Sequence, residues 1–156
     1  MAQPVAKTKP TLHMTMPATC VSGDRTDVVF RDKLLVIDEP TERGGSNLGL
    51  SPVEVAVGSL LGCTNVITHK LAKRHDVELA DMHISADVTF DRRGAMLIEE
   101  VETPWQVITL HITARTSADE NNIRKLKLDL PRFCPVSKLF ANSGTKVEEV
   151  WNLQSH

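Results

Sequence analysis

The chain has 156 residues, of which 24% are charged and 41% are hydrophobic, and its formal net charge is −2 at neutral pH. This length and balance are typical of one globular domain with a sizeable core. The small net charge and the 4% aromatic content argue against a protein that binds nucleic acid or an anionic membrane surface.

The cysteine count also limits the class of protein. The chain has three cysteines, Cys20, Cys63 and Cys134, and an odd number argues against a secreted disulfide framework. The N-terminus lacks an apolar stretch of signal-peptide length, so we expect a cytoplasmic protein in which cysteines are catalytic, redox-active or simply buried. Residues 1–10 are expected to form a flexible arm and residues 11–156 a single domain.

The N-terminal third is rich in short strand patterns. Residues 12–21 alternate in part and predict a strand broken by Pro17, with Cys20 as a packing residue near its end. The apolar runs 28–30 and 34–37 predict two further strands joined tightly through residues 31–33. We therefore expect a small antiparallel meander, followed by a loop over residues 39–50 that contains Pro40 and two glycines.

The stretch from Ser51 to His75 predicts a long helix. Ser51 can cap the first turn, Pro52 suits the first helical position, and Glu54 completes a capping box. Residues 53–67 are nearly all apolar or small, which predicts burial on all sides, and the run is too short to span a membrane. Such a helix needs more cover than one chain of this size supplies, so we expect a dimer.

The second half alternates between strand and helix patterns. A strand is predicted over residues 79–90, a hairpin turn over 91–94, and a long strand over 98–116 with a break at Pro104. The buried face of the long strand is predicted to carry four apolar residues, Ile108, Leu110, Ile112 and Ala114. The whole order of elements, with antiparallel sheets around the long helix, predicts an α+β fold.

The elements after residue 116 include the third cysteine. A helix beginning near residues 117–120 is expected to stop before Pro131, with an apolar face of Ile123, Leu126, Leu128 and Leu130. A short helix follows through Phe140, and a last strand spans residues 145–152. Cys134 precedes Pro135 and is therefore expected near the N-cap of the short helix, where the positive helix end favours a thiolate.

Three motifs in this order resemble the OsmC/Ohr family of osmotically inducible and organic-hydroperoxide-resistance proteins, and the likeness extends over roughly residues 12–150. They are the loop Gly44-Gly45-Ser46-Asn47-Leu48-Gly49-Leu50-Ser51-Pro52, the helix start Ser51-Pro52-Val53-Glu54 with Gly62-Cys63, and the segment Cys134-Pro135-Val136-Ser137. The resemblance implies an OsmC-like fold, an intertwined homodimer with two long central helices between sheets, and sites at the subunit interface.

The resemblance also implies an activity, the thiol-dependent reduction of organic hydroperoxides. Cys63 matches the peroxidatic cysteine and Cys134 the resolving one, and an outside dithiol restores both thiols. An arginine stabilises the thiolate in such proteins, and a carboxylate holds that arginine. The resemblance gives no cofactor, and the histidines show no metal-ligand spacing, so no metal site is expected.

Two positions depart from the family pattern. Well-studied members have the glutamate directly after the helix-starting proline, where this chain has Val53, and Glu54 lies about 100° further around the helix. Glu54 is therefore either the residue that orients an arginine or a helix cap alone. The arginine itself is either Arg43, in the loop before the helix, or Arg25, between the first strands.

Two classes of function remain open. The first is a cysteine-based peroxidase acting on fatty-acid or alkyl hydroperoxides in oxidative stress defence. The second is a non-catalytic OsmC-like protein that binds a small apolar molecule at the dimer interface. A disulfide-exchange protein is a poorer alternative because the chain has no Cys-x-x-Cys motif.

Overall fold

The computed structural model describes residues 10–155, which contain two three-stranded sheets and three α-helices. This content confirms the α+β class. The chain forms two compact units that divide between Val55 and Ala56. The prediction of one domain over residues 11–156 stays a prediction, and the expected arm falls, except for Pro10, outside the described residues. Among the described helices, none has the length and apolar character needed to cross a membrane.

The N-terminal unit contains the predicted antiparallel meander. Its strands are β1 (Ala18–Cys20), β2 (Arg25–Phe30) and β3 (Lys33–Asp38), paired in that order. The prediction that a strand starts at residue 12 was wrong, because regular pairing begins only after Pro17, which has no N–H to donate. Cys20 is exposed, not packed, since β1 is an edge strand whose three residues all face solvent.

The loop after β3 returns closely over the sheet. It contains a short 3-10 helix, Thr41–Arg43, and its later part depends on two glycines. A Cβ at Gly45 would lie 1.8 Å from the carbonyl oxygen of Glu39, and one at Gly49 would lie 2.1 Å from that of Val36. Because such distances are impossible, only glycine permits this approach of backbone to backbone. The loop before the following helix is therefore packed backbone to backbone against residues Val36 and Glu39.

The long helix α1 (Pro52–Arg74) matches the prediction in its bounds. Its buried residues recur every three or four positions and form one face: Leu60, Thr64, Thr68, Leu71 and Ala72. The opposite side carries exposed Gly58, Gly62 and Val66. The prediction of burial on all sides was therefore wrong for the single chain, since residues 56–156 cover one helix face only.

The C-terminal unit holds the second sheet. Its strands are β4 (Ala80–Phe90), β5 (Trp105–Arg115) and β6 (Lys146–Gln154), in the order β4-β5-β6. The four residues predicted for the buried face of β5 are at most 4% exposed. The strands β4 and β5 are antiparallel, but β5 and β6 are parallel, so the prediction of antiparallel sheets was wrong for this one pair.

The connection between β4 and β5 is longer than predicted. Residues 91–104 lie outside the strands, and the N–H of Asp91 donates to the carbonyl of Pro104 at 2.8 Å. The predicted strand start at residue 98 was wrong because Ile98 belongs to a turn, where its N–H donates to Arg93. The sheet resumes only at Trp105, directly after Pro104.

Two helices connect β5 with β6, and they allow these strands to run parallel. They are α2 (Glu120–Phe133) and α3 (Pro135–Asn142). The prediction that α2 stops before Pro131 was wrong, because a proline in the last turn forfeits only one helical hydrogen bond. Leu126 and Leu130 are buried as expected, but Leu128 is 62% exposed, since it lies about 200° around the helix from Leu126.

Candidate functional site

The sulfur atoms of Cys63 and Cys134 lie 3.2 Å apart, although 71 positions separate the residues in sequence. Both are free thiols, and the Cys134 thiol donates a hydrogen bond to the Cys63 sulfur. A disulfide bond is about 2.05 Å long, so a shift of about 1 Å would bring the two sulfurs into bonding distance. The structure thus places together the two cysteines that the sequence singled out.

Cys63 is positioned by the middle of α1. It follows the exposed Gly62 and precedes the buried Thr64, so it lies where the covered face of the helix meets its open side. Its side chain packs against the hydrophobic core but remains partly exposed. Within the described residues, no side-chain or distant backbone atom lies within 4 Å of where a Cβ at Gly62 would be. The helix surface at the neighbouring Gly62 is therefore open in the single chain.

Cys134 is positioned by two helices at once. It is the C-cap of α2, where its N–H donates to the Leu130 carbonyl at 3.0 Å. It is also the N-cap of α3, as predicted, and its sulfur accepts the N–H of Ser137 at 3.4 Å. Pro135 occupies the first position of α3, where it needs no hydrogen-bond acceptor. These contacts hold the Cys134 sulfur toward Cys63.

The electrostatics of Cys134 differ from the prediction. The residue has no exposed surface, and burial raises the pKa of its thiol to about 11. The Ser137 N–H favours the thiolate, but this effect is smaller than the cost of removing a charged sulfur from water. The expectation of a Cys134 thiolate was therefore wrong, because the location at a helix N-cap does not offset complete burial.

Glu54 forms the predicted capping box at the start of α1. Its carboxylate accepts hydrogen bonds of 2.8 Å from both the N–H and the hydroxyl of Ser51. The backbone N–H of Ser51, followed by its hydroxyl, lowers the pKa of Glu54, and the positive charge of Arg43 adds to this effect. Glu54 is therefore an ionised helix cap within the N-terminal unit. Its role toward an arginine stays a prediction.

The two candidate arginines each have another carboxylate partner in the N-terminal unit. The Nε atom of Arg43 lies 2.6 Å from Oε2 of Glu39, which precedes it by four residues. Arg25 makes a two-pronged contact with Asp27 at 2.8 and 2.9 Å. Both guanidinium groups are thus oriented by carboxylates, as an activating arginine requires, and the choice between them stays open.

One contributor to the site is absent from the sequence predictions. The backbone N–H of Ser137, a residue 5% exposed, is the donor that reaches the Cys134 sulfur. The sequence contained a signal for this contact, since a cap residue followed by proline places the third following N–H toward the cap side chain.

Across the residues that the structure describes, His, Cys, Asp and Glu form no group of three or more arranged to hold a metal ion.

Comparisons with known proteins agree with this fold. A family model described as OsmC-like protein matches residues 44–150. An OsmC-like protein from Mycoplasma pneumoniae is 13% identical, with a TM-score of 0.75 over 93% of this chain and 99% of that one. No curated protein matches the chain significantly.

Two solved structures with hydroperoxide-related names have the same fold. An organic hydroperoxide resistance protein OsmC from Legionella pneumophila is 18% identical, with a TM-score of 0.59 over 92% of this chain and 99% of that one. An organic hydroperoxide resistance protein from Elizabethkingia anophelis is 14% identical, with a TM-score of 0.59 over 95% of this chain and 100% of that one. At these identities the likeness shows the fold alone.

Proposed function

The chain belongs to the OsmC-like protein family, and we propose that it is a thiol-dependent peroxidase that reduces organic hydroperoxides through Cys63 and Cys134. The single observation that carries this proposal is the 3.2 Å distance between the two sulfur atoms. Free thiols in contact, one partly exposed and one buried, suit a pair in which the first meets the substrate and the second closes a disulfide.

The proposed reaction has three steps. The Cys63 thiolate attacks the terminal peroxide oxygen, the O–O bond breaks, and the departing alkoxide takes a proton to become an alcohol. The resulting Cys63 sulfenic acid condenses with the Cys134 thiol, which forms the S–S bond and releases water. An external dithiol then supplies two electrons, is itself oxidised to a disulfide, and restores both thiols.

We assign the activation of Cys63 to an arginine, with Arg43 the first candidate and Arg25 the alternative. Arg43 is supported by its charge acting on Glu54, which lies in the first turn of the same helix that carries Cys63. An Arg43→Ala variant should then lose most of its rate with peroxide, while Arg25→Ala keeps it. The reverse result would assign the role to Arg25, and two unaffected variants would remove arginine activation from the proposal.

We also propose a homodimer in the cytoplasm. The dimer is supported by exposed apolar side chains in each unit, which a second copy of the chain could cover. Val66 of α1 is 49% exposed in the C-terminal unit, and Leu34 and Leu35 of β3 are 60% and 43% exposed in the N-terminal unit. Light scattering at micromolar concentration should give twice the mass of the chain, and the mass of a single chain would contradict the dimer.

The peroxidase proposal is tested by counting free thiols. A Cys20→Ser variant, which leaves only the pair, is treated with one equivalent of cumene hydroperoxide, and hydrogen peroxide is used in parallel. We expect both thiols to be lost, faster with the organic peroxide, and peptide mapping to identify a Cys63–Cys134 bond. A Cys134→Ser control in the same background should lose its one thiol without forming that bond.

The opposite result has a definite meaning. If the folded protein keeps both thiols in the presence of peroxide, the peroxidase proposal fails and the alternative gains, a non-catalytic protein that binds a small apolar molecule at a dimer interface. Binding of apolar probe dyes by the wild-type protein, with equal binding by Cys63→Ser, would then support the alternative.

A further inference from the structure

We propose that the external dithiol attacks the sulfur of Cys63, and that the sulfur of Cys134 is always the leaving group. This inference rests on the proposed function, which supplies the disulfide to be reduced. It makes Cys63 the only contact point for two different substrates, the peroxide and the reductant. Cys134 then never forms a mixed disulfide with an outside molecule.

The argument begins with burial. Cys134 has no exposed surface, whereas Cys63 keeps part of its surface open. Association with another copy of the chain can only remove surface from a protomer, so Cys134 stays closed to an outside thiol in any assembly that keeps this fold. Thiol–disulfide exchange needs the incoming sulfur to reach the attacked one in line with the breaking bond. Of the two residues, only Cys63 has exposed surface from which such an approach can start.

The second step concerns the backbone of Cys134. Its N–H donates to Leu130 at 3.0 Å, and its carbonyl accepts the N–H of Lys138 at 3.1 Å. The first bond is the last of helix α2, and the second is the first of helix α3. Because Cys134 has no exposed surface, bringing its sulfur to solvent requires the backbone to move, which would disrupt both helix ends together with the sulfur contact to Ser137. Local opening at this position is therefore costly, and the sulfur stays inside during reduction.

The third step concerns the leaving sulfur. As the thiolate of the dithiol bonds to the Cys63 sulfur, the Cys63–Cys134 bond breaks and its electron pair moves to Cys134. The Ser137 N–H lies 3.4 Å from this sulfur and faces the developing negative charge. Because burial raises the pKa of the Cys134 thiol, the released thiolate takes a proton from water and becomes the neutral thiol. The second thiolate of the reductant attacks its own bound sulfur, which releases the Cys63 thiolate.

The first test maps a mixed disulfide. The Cys20→Ser protein is oxidised with diamide, which requires no peroxide chemistry, then mixed with glutathione and quenched in acid within milliseconds to seconds. We expect glutathione on Cys63 in at least about tenfold excess over Cys134, since access decides which sulfur reacts. Glutathione on Cys134, or an equal division between the two, would overturn the inference, as would failure of diamide to link the pair.

The second test uses single-cysteine variants of the Cys20→Ser protein. One keeps only Cys63 and carries Cys134→Ser, and the other keeps only Cys134 and carries Cys63→Ser. With dithionitrobenzoate at neutral pH, Cys63 should react about 100-fold faster or more, because Cys134 is both buried and protonated. Mild urea should accelerate only the Cys134 variant. Comparable rates in two folded variants would contradict the inference.

These outcomes separate the inference from the proposed function. If cumene hydroperoxide fails to oxidise the pair but glutathione maps to Cys63 after diamide treatment, the peroxidase proposal fails and the direction of reduction stands. If peroxide turnover is observed and glutathione maps to Cys134, the inference alone fails.

Discussion

The carboxylate of Asp38, which has no exposed surface, accepts a hydrogen bond of 2.6 Å from the hydroxyl of Ser46, eight residues later in the chain. It also accepts the backbone N–H groups of Ser46 and Leu48, at 3.2 and 3.0 Å. Asp38 is the last residue of β3, so this one side chain closes the loop that leads to α1. The Ser46 hydroxyl, followed by the Leu48 N–H, lowers the pKa of Asp38.

Asp38→Asn should lower the urea midpoint of unfolding at pH 7, because an amide cannot accept all of these donors. A carboxyl whose pKa is lower in the folded state stabilises the fold above its unfolded pKa of about 3.9, and this stabilisation is lost as the pH falls through the folded value. The difference between wild type and variant should therefore narrow below about pH 4. Asp32→Asn, at an exposed contact with Lys33, is the control and should change little.

Ser51→Ala should destabilise the protein by about 1 kcal/mol, because it removes the helix cap and one donor to Glu54. The matched control is Ser59→Ala in the same helix. Ser59 is exposed and donates only to the Ala56 carbonyl within α1, so its loss should be neutral or slightly stabilising. Urea unfolding of both variants checks the prediction, and equal midpoints for the two would contradict it.

Leu126→Ala should cost about 2–5 kcal/mol, since Leu126 is 2% exposed in the core of the C-terminal unit and its truncation leaves a cavity. Leu128→Ala on the same helix should change the free energy of unfolding by less than about 0.5 kcal/mol, because that side chain is 62% exposed. Chemical denaturation compares the two. A large loss of unfolding free energy in Leu128→Ala would contradict the prediction and would mean that a partner covers this side of α2.

Glu149→Gln should leave the protein as stable as wild type or more stable at pH 7. Burial raises the pKa of Glu149, and the Trp151 indole N–H, which donates at 3.0 Å, offsets this only in part. A carboxyl with a raised folded pKa destabilises the fold as the pH rises through its unfolded value, so the advantage of glutamine should vanish at acid pH. Glu148→Gln, which loses an exposed contact with Lys146, is the control and should show no such gain.

Oxidation of the cysteine pair should raise the free energy of unfolding by up to about 4 kcal/mol, because a bond that closes 71 residues restricts the unfolded chain. Urea titration of diamide-treated and reduced Cys20→Ser protein measures this difference. The Cys134→Ser variant should show no change on the same treatment. A destabilised oxidised form would mean that the shift of about 1 Å needed for bonding strains the fold.

The sequence predicted best those features that a few neighbouring residues decide. The capping box of Ser51 and Glu54 and the cap position of Cys134 depend on local hydrogen bonds, and the buried face of β5 follows from simple alternation. The pairing of Cys63 with Cys134 was predicted from the family likeness alone, since no local pattern connects residues 71 positions apart. Some errors were local, such as the predicted end of α2 before Pro131, but others concern contacts between distant segments. The long loop over residues 91–104 and the raised pKa of Cys134 depend on packing that a single stretch of sequence does not contain.

The parallel pairing of β5 with β6 has a consequence for the order of folding. Within the β4–β5 hairpin, the paired residues nearest in sequence are Phe90 and Trp105, 15 positions apart. In the β5–β6 pair, Val107 is paired with Lys146, 39 positions later in the chain. Closing the larger loop costs more chain entropy before any contact compensates for it. The hairpin and the helices should therefore form first, and β6 should join last. Since α3, whose N-cap is Cys134, packs against β6, the segment that carries Cys134 should reach its final place in the core only in this last step.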